Sequence, residues 1–396
     1  MSNLTYAQAI AAVAENGGNK SEAARKLGVT RNKLRYALGG ASSQKKTKVV
    51  KEALTIEEEH RLKKENSKLK AELRKTLDGG EVDSALADLI RETTKFSGPA
   101  PKQWLQPKLS KKGDRGIICA ALSDLHLDEV VHPDQIGYVN GYNRKIATQR
   151  LHNFFENLIR ISRDFINGIK IEGLELMMLG DMVSGNIHEE LKESNECPIT
   201  ETLRYWSIEL SRGLTLLAEH FSWIHVACVV GNHGRLTHKP RAKFRAMDNF
   251  DWLLYHMVAQ QTAHLGSVKF TIPTSADNFV QIYSTRYLLT HGDQFRGGTG
   301  IAGMLSPLLL GDARKRKRQV AIGQPYDYMV MGHWHQYAMA KSLIINGSLK
   351  GYDEYAYQSN FDFEPPQQAF WVTDPKHGKT ISAPIRCKSK SEGWEE

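Results

Sequence analysis

The chain changes texture along its length, and the changes mark its parts. Over residues 4–39, Ala7, Ile10, Ala11 and Ala14 recur at helical spacing. Gly17-Gly18-Asn19 breaks that run, Ser21–Leu27 gives a second helix, Gly28 a turn, and Thr30 an N-cap for a third helix over Arg31–Leu38. Residues 41–53 are polar and lysine-rich and read as a linker. Residues 54–78 are dense in Glu, Lys and Leu, with Leu62, Asn66, Leu69, Leu73 and Thr76 on alternating spacings of four and three. That pattern predicts a short coiled-coil seam with Asn66 at a core position, hence a homodimer or higher oligomer, or else a solvated single helix. Residues 79–115 hold Pro99, Pro101 and Pro107 and read as a connector.

From residue 116 short β-rich apolar runs alternate with helical stretches: Ile117–Leu122, Leu174–Leu179, Ile224–Val230, Tyr287–Thr290 and Tyr328–Met331. Alternating strands and helices predict an α/β layered core over 116–375, and the polar residues 376–396 read as a tail.

Composition narrows the classes. A hydrophobic fraction of 41% suits a globular protein, and no apolar run approaches the roughly 20 residues of a membrane helix, so no membrane role is expected. The opening Met-Ser-Asn-Leu-Thr lacks the basic-then-apolar pattern of a signal peptide. Cys119, Cys197, Cys228 and Cys387 have no zinc-like spacing, which fits a reducing, cytoplasmic setting. The net charge of +9 favours an anionic partner.

Each of the five apolar runs ends in a polar cluster: Ser123-Asp124-Leu125-His126, Gly180-Asp181, Gly231-Asn232-His233-Gly234-Arg235, His291-Gly292-Asp293 and Gly332-His333-Trp334-His335. The carboxyl ends of strands in an α/β sheet converge on one crevice, so clusters distant in sequence can meet there. In Asp124-x-His126 and His333-x-His335, alternate residues of an extended strand end would point the same way. Oxygen and imidazole donors suit manganese, iron, zinc or magnesium, and the lack of thiolates argues against a structural zinc.

The ordered set Asp-x-His, Gly-Asp, Gly-Asn-His, His and Gly-His-x-His resembles the calcineurin-like metallophosphoesterase superfamily over roughly residues 116–350. The resemblance implies a four-layer β-sandwich flanked by helices and a dinuclear centre, manganese being the first choice. It implies that Asp124, His126 and His335 hold one metal, that Asp181 bridges, that Asn232, His291 and His333 hold the other, and that His233 protonates the leaving oxygen. Met182-Val183-Ser184-Gly185 follows Gly180-Asp181 where protein phosphatases carry Asp-Arg-Gly, and Gly234-Arg235 replaces the usual acid. Arg235 could then grip a phosphate oxygen or simply lie at the surface.

Residues 19–34 resemble the helix-turn-helix of the Fis-like family, which places Arg31, Asn32, Lys33 and Arg35 on or near an outer face suited to bases and phosphates. A helical dimerisation module is the alternative. Arg314-Lys315-Arg316-Lys317-Arg318 reads as a loop gripping a nucleic-acid backbone. Together these features predict a DNA phosphodiesterase of the DNA-repair exonuclease branch, a nuclease or nickase, in a bacterial or phage setting. A phosphatase or small-molecule phosphodiesterase with a regulatory DNA-binding module is the second reading, and a DNA-binding protein with a vestigial site the third.

Overall fold

The computed structural model describes residues 6–17, 19–39, 60–61, 63–72, 114–187, 189–296, 303 and 305–388. The linker 41–53, nearly all of the connector 79–115, and Leu62, Leu73 and Thr76 lie outside the described residues. The chain divides into two compact units, Met1–Pro107 and Lys108–Glu396.

In the first unit, α1 (Tyr6–Glu15), α2 (Lys20–Lys26) and α3 (Arg31–Gly39) close on Ala9, Ala12, Ala23, Ala24 and Leu34. The small alanines of α1 and α2 let the helices approach closely. Asn19 caps α2, accepting the backbone N–H groups of Ser21 and Glu22, and Gly28 turns the chain at φ +63°. The inward face of α1 is Ala9, Ala12 and Val13, whereas Ala7, Ile10, Ala11 and Ala14 are exposed. The expected stripe was therefore the wrong one: α1 is apolar nearly all round, so spacing alone does not choose its buried face. Residues 60–61 and 63–72 are helical and exposed, Leu69 by 59%.

The second unit has two sheets. The first runs β11-β10-β1-β2-β3-β4 and the second β5-β6-β7-β9-β8. In the first, β1 (Asp114–Leu122), β2 (Ile169–Met178), β3 (Ile224–Cys228) and β4 (Val268–Thr271) are parallel, and β10 (Gln367–Asp374) joins antiparallel. In the second, β6 (Thr285–Thr290), β7 (Tyr328–Met331) and β9 (Leu343–Ile345) are parallel, with β5 (Asp277–Ile282) and β8 (Ala338–Met339) antiparallel at the edges. Cys119, Met177, Leu179, Val229, Tyr287, Leu289, Val330 and Trp371 fill the space between the sheets.

The outer face of the first sheet packs on α4 (Arg144–Arg160), α6 (Ile199–Ala218) and α7 (Phe250–Gln261) through Phe154, Trp206, Leu214 and Tyr255. The short helix α5 (Glu189–Ser194) precedes α6. The outer face of the second sheet packs on α8 (Leu305–Ala321) through Leu308. Helix, sheet, sheet and helix make four layers, as the resemblance implied. Because the central strands of both sheets are covered on both faces, they read as largely apolar runs.

The expected tail is in part a strand. β11 (Gly378–Arg386) pairs with β10 along the sheet edge and buries Ile385, with Cys387 buried just beyond it. An edge strand tolerates polar residues and Pro384, which is why its composition resembles a tail.

Candidate metal centre

The five polar clusters meet at one place. β1, β2 and β3 deliver Asp124, His126, Asp181 and Asn232 from their carboxyl ends, and β6 and β7 deliver His291, His333 and His335 from the facing sheet. The backbone there is not extended, contrary to expectation. Asp124, His126, Asp181, His333 and His335 all have positive φ, between +47° and +68°. Non-glycine residues in this region carry strain, and such strain concentrates at functional sites. The glycines solve a packing problem. A Cβ on Gly231 would lie 2.0 Å from Asp181 Oδ1, and one on Gly332 would lie 2.3 Å from Asp124 Oδ2.

Among the described residues three donor clusters result: two share no residue, and the third, His126, Asp181 and His233, spans them. Asp124, His126 and His335 form one, with His126 Nε2 3.2 Å from His335 Nε2 and His335 Nε2 3.4 Å from Asp124 Oδ1. The Asp124 carboxylate accepts the His333 backbone N–H and the Ser123 hydroxyl. Behind His126, Glu129 Oε2 lies 3.1 Å from Nδ1, and the buried Lys350 ammonium joins Glu129 to Asp353. A carboxylate behind one ring nitrogen leaves the other to face a metal.

Asp181, His291 and His333 form the second group, with Asn232 beside it. His291 Nε2 lies 2.9 Å from Asp181 Oδ2 and 3.2 Å from Asn232 Oδ1, while His291 Nδ1 donates to the Leu179 carbonyl at 2.7 Å. The sequence reading missed Asp251 on α7. Its Oδ2 accepts the backbone N–H of both Asp181 and Gly231 at 2.9 Å, and its Oδ1 that of Met182 at 3.1 Å. Asn249 caps the same helix and donates its Nδ2 to the Gly231 carbonyl. Thus α7 ties the end of β2 to the end of β3.

The electrostatics suit a cation. Burial pushes the Asp181 carboxyl up, but the charges of His291 and His233 hold it well below the usual carboxylate range. Burial and the Lys350 and His233 charges pull His126 down to about 4, and burial with the His291 charge does the same to His333. Burial opposes the His291 proton, yet the Asp181 and Asp124 charges raise that imidazole to about 10. Burial and the Asp181 charge raise Asp251 to about 6. Neutral imidazoles, as at His126 and His333, beside buried carboxylates are the form in which these groups ligate. The oxygen and nitrogen donors fit a divalent metal, since the chain's thiols are elsewhere: Cys119, Cys228 and Cys387 lie in the buried cores.

His233 sits against both groups. Its backbone N–H donates to Asp181 Oδ1 at 2.7 Å, its ring centroid is 4.4 Å from that of His126, and its Nδ1 lies 3.0 Å from the Ser184 carbonyl. Arg235 points elsewhere. Its guanidinium donates to the carbonyls of Asn232, Thr237 and His238, each at 3.0 Å, so it braces its own loop.

The expected basic loop at 314–318 is part of helix α8. Lys315 is buried between Asp277 and Thr290, Arg318 pairs with Asp277, and Arg316 pairs with Asp312 and covers the Tyr326 ring. Helical periodicity turns three of the five cations toward internal partners, and Arg314 and Lys317 remain exposed. In the first unit Arg31, Asn32 and Lys33 are exposed, while the Arg35 side chain lies outside the described residues.

Residues 10–39 match the model of the Fis family of bacterial regulatory proteins. No curated protein matches the chain. Among solved structures, Vps29 of Cryptosporidium parvum is 16% identical, with 68% of this chain and 97% of that one covered at a TM-score of 0.27. Zinc-complexed Vps29 of Entamoeba histolytica is 11% identical, with 68% and 99% covered at 0.27. YfcE, a phosphoesterase from E. coli, is 14% identical, with 68% and 100% covered at 0.27. These overlaps are loose, and the chemistry of the site rests on its own geometry.

Proposed function

We propose that the chain is a metal-dependent phosphodiesterase that cuts DNA, brought to it by its N-terminal helix-turn-helix. The observation that carries the reading is the pair of donor groups, Asp124/His126/His335 and Asp181/His291/His333, built side by side. Two divalent ions, with manganese the first choice, would clamp a phosphoryl group and make a water acidic enough to supply hydroxide near neutral pH. Asp181 lies between the groups and suits a bridging role. His233 binds no metal in this reading. The Ser184 carbonyl accepts from its Nδ1, which orients the ring, and a protonated imidazole there would protonate the departing oxygen. Its place beside Asp181 and His126 supports that role.

The DNA substrate is supported by the match of residues 10–39 to a bacterial regulatory family, with exposed Arg31, Asn32 and Lys33 on α3. The test is direct: incubate supercoiled plasmid, a phosphopeptide and a cyclic nucleotide with the protein and manganese. Relaxed or linear plasmid with the other two untouched is the expected result. Hydrolysis of the phosphopeptide alone would overturn the nuclease reading in favour of a phosphatase.

A further inference from the structure

The segment from Arg235 to Arg245 reads Arg-Leu-Thr-His-Lys-Pro-Arg-Ala-Lys-Phe-Arg: five cations and no acid, starting two residues after His233. Its two ends are fastened to the metal centre. Arg235 Nη1 donates to the Asn232 carbonyl at 3.0 Å, and Arg245 Nη2 donates to Asp293 Oδ1 at 2.7 Å, two residues beyond His291. The loop closes on itself where Leu236 N–H donates to the Asp248 carbonyl and Phe250 N–H to the Gly234 carbonyl. A pocket is lined by Asn232 together with Arg235, Arg241, Lys243 and Arg245.

The cations divide by role. Arg235 and Arg245 are spent on holding the loop. Lys239, Arg241 and Lys243 are exposed, and among the described residues no carboxylate pairs with them. Arg241 and Lys243 line that pocket with Pro240, the neighbour of Lys239, and like charges so placed raise the local anion concentration. Phe244 lies between Lys243 and Arg245 with its backbone at φ +55°, and the residue is 63% exposed. Loose lysines and an arginine with an aromatic face between them suit a polynucleotide strand: the cations neutralise successive phosphates, and the ring takes a base.

We infer that Lys239, Arg241 and Lys243 seat the phosphates flanking the scissile one, with Phe244 stacking on an unpaired base, so that the substrate is a single-stranded stretch of DNA. This rests on the nuclease reading and names its substrate class. It also moves the gripping role away from residues 314–318, where Lys315, Arg316 and Arg318 already have partners.

The test compares the full chain with a Lys239→Gln/Arg241→Gln/Lys243→Gln variant and with Phe244→Ala, in manganese, on a single-stranded oligonucleotide and on bis(p-nitrophenyl) phosphate. The helix-turn-helix is present in every protein, so its contribution cancels. Removing three phosphate contacts should flatten the slope of log KM against log salt by about 2 for the oligonucleotide. KM at low salt should rise roughly tenfold or more, with the small ester hydrolysed at the parental rate. Phe244→Ala should raise KM for the single strand by about fivefold or more. If the parent cuts the oligonucleotide and the triple variant does so with the same KM and slope, the loop assignment fails while the nuclease reading stands. An equal loss on the small ester also overturns it, because the cations would then act at the reacting phosphate itself. If the parent hydrolyses the ester but neither cuts nor is inhibited by the oligonucleotide, the nuclease reading fails and takes the loop with it.

Discussion

Asp251, seventy residues from Asp181 in sequence, accepts the Asp181 backbone N–H at 2.9 Å and that of Gly231 at the same distance. One buried carboxylate thereby fixes two of the strand ends that build the metal centre. Asp251→Ala leaves these donors and the Met182 N–H without partners inside the protein. Each unsatisfied buried donor costs about 1–3 kcal/mol, so for three donors a loss of about 3 kcal/mol or more is expected on urea denaturation. Asp251→Asn should lose stability too, since its NH2 would face N–H donors. A midpoint unchanged in both variants would show that the strand ends need no such clasp.

Asp181→Asn should lower the metal content at both positions, because this side chain lies against His291 of one group and within reach of His126 of the other. Elemental analysis of purified protein reads the outcome directly. Retention of the parental metal content would remove Asp181 from the bridging role.

The divide between what the sequence revealed and what it hid follows from the range of the forces involved. The five strand ends were legible because each strand is buried on both faces, and its apolar run stops where the polar ligands begin. The helix-turn-helix was legible because Gly28 and Thr30 punctuate it locally. Asp251 was not, since an acid in the first turn of a helix is ordinary and its partners are backbone N–H groups that no pattern announces. The same holds for Lys350, whose partners Glu129 and Asp353 come together only in the fold. At 314–318, a run of cations looks like one surface until helical geometry sends its members in different directions. The stripe of α1 failed for a related reason: alanine on every side gives a period no phase.

His233→Ala should keep the metals and slow hydrolysis by roughly 100-fold or more, as loss of a general acid does. The loss should shrink on aryl esters, whose departing phenolate needs little protonation. Stopped-time assays on paired substrates with good and poor leaving groups measure the difference. Equal losses on both would assign His233 to binding or structure instead.

The two units make separable predictions. Every residue of the metal centre lies after position 116, so its chemistry should not depend on the N-terminus. The helix-turn-helix and linker contribute Lys20, Arg25, Arg31, Lys33, Arg35, Lys45, Lys46 and Lys48. Cations that neutralise duplex phosphates release counterions, so log affinity should fall with log salt by about 0.9 per contact. Deleting residues 1–78 should therefore weaken duplex binding, flatten its salt dependence and leave hydrolysis of a small aryl phosphodiester near the parental rate. If the helix over 63–72 pairs two chains, the deletion also removes a second anchor, and the affinity loss grows through lost avidity. Full-strength duplex binding by the truncated protein would place the DNA contacts in the catalytic unit. Loss of the small-substrate activity would instead show that the N-terminal unit supports the catalytic fold, since none of its side chains belongs to the donor groups.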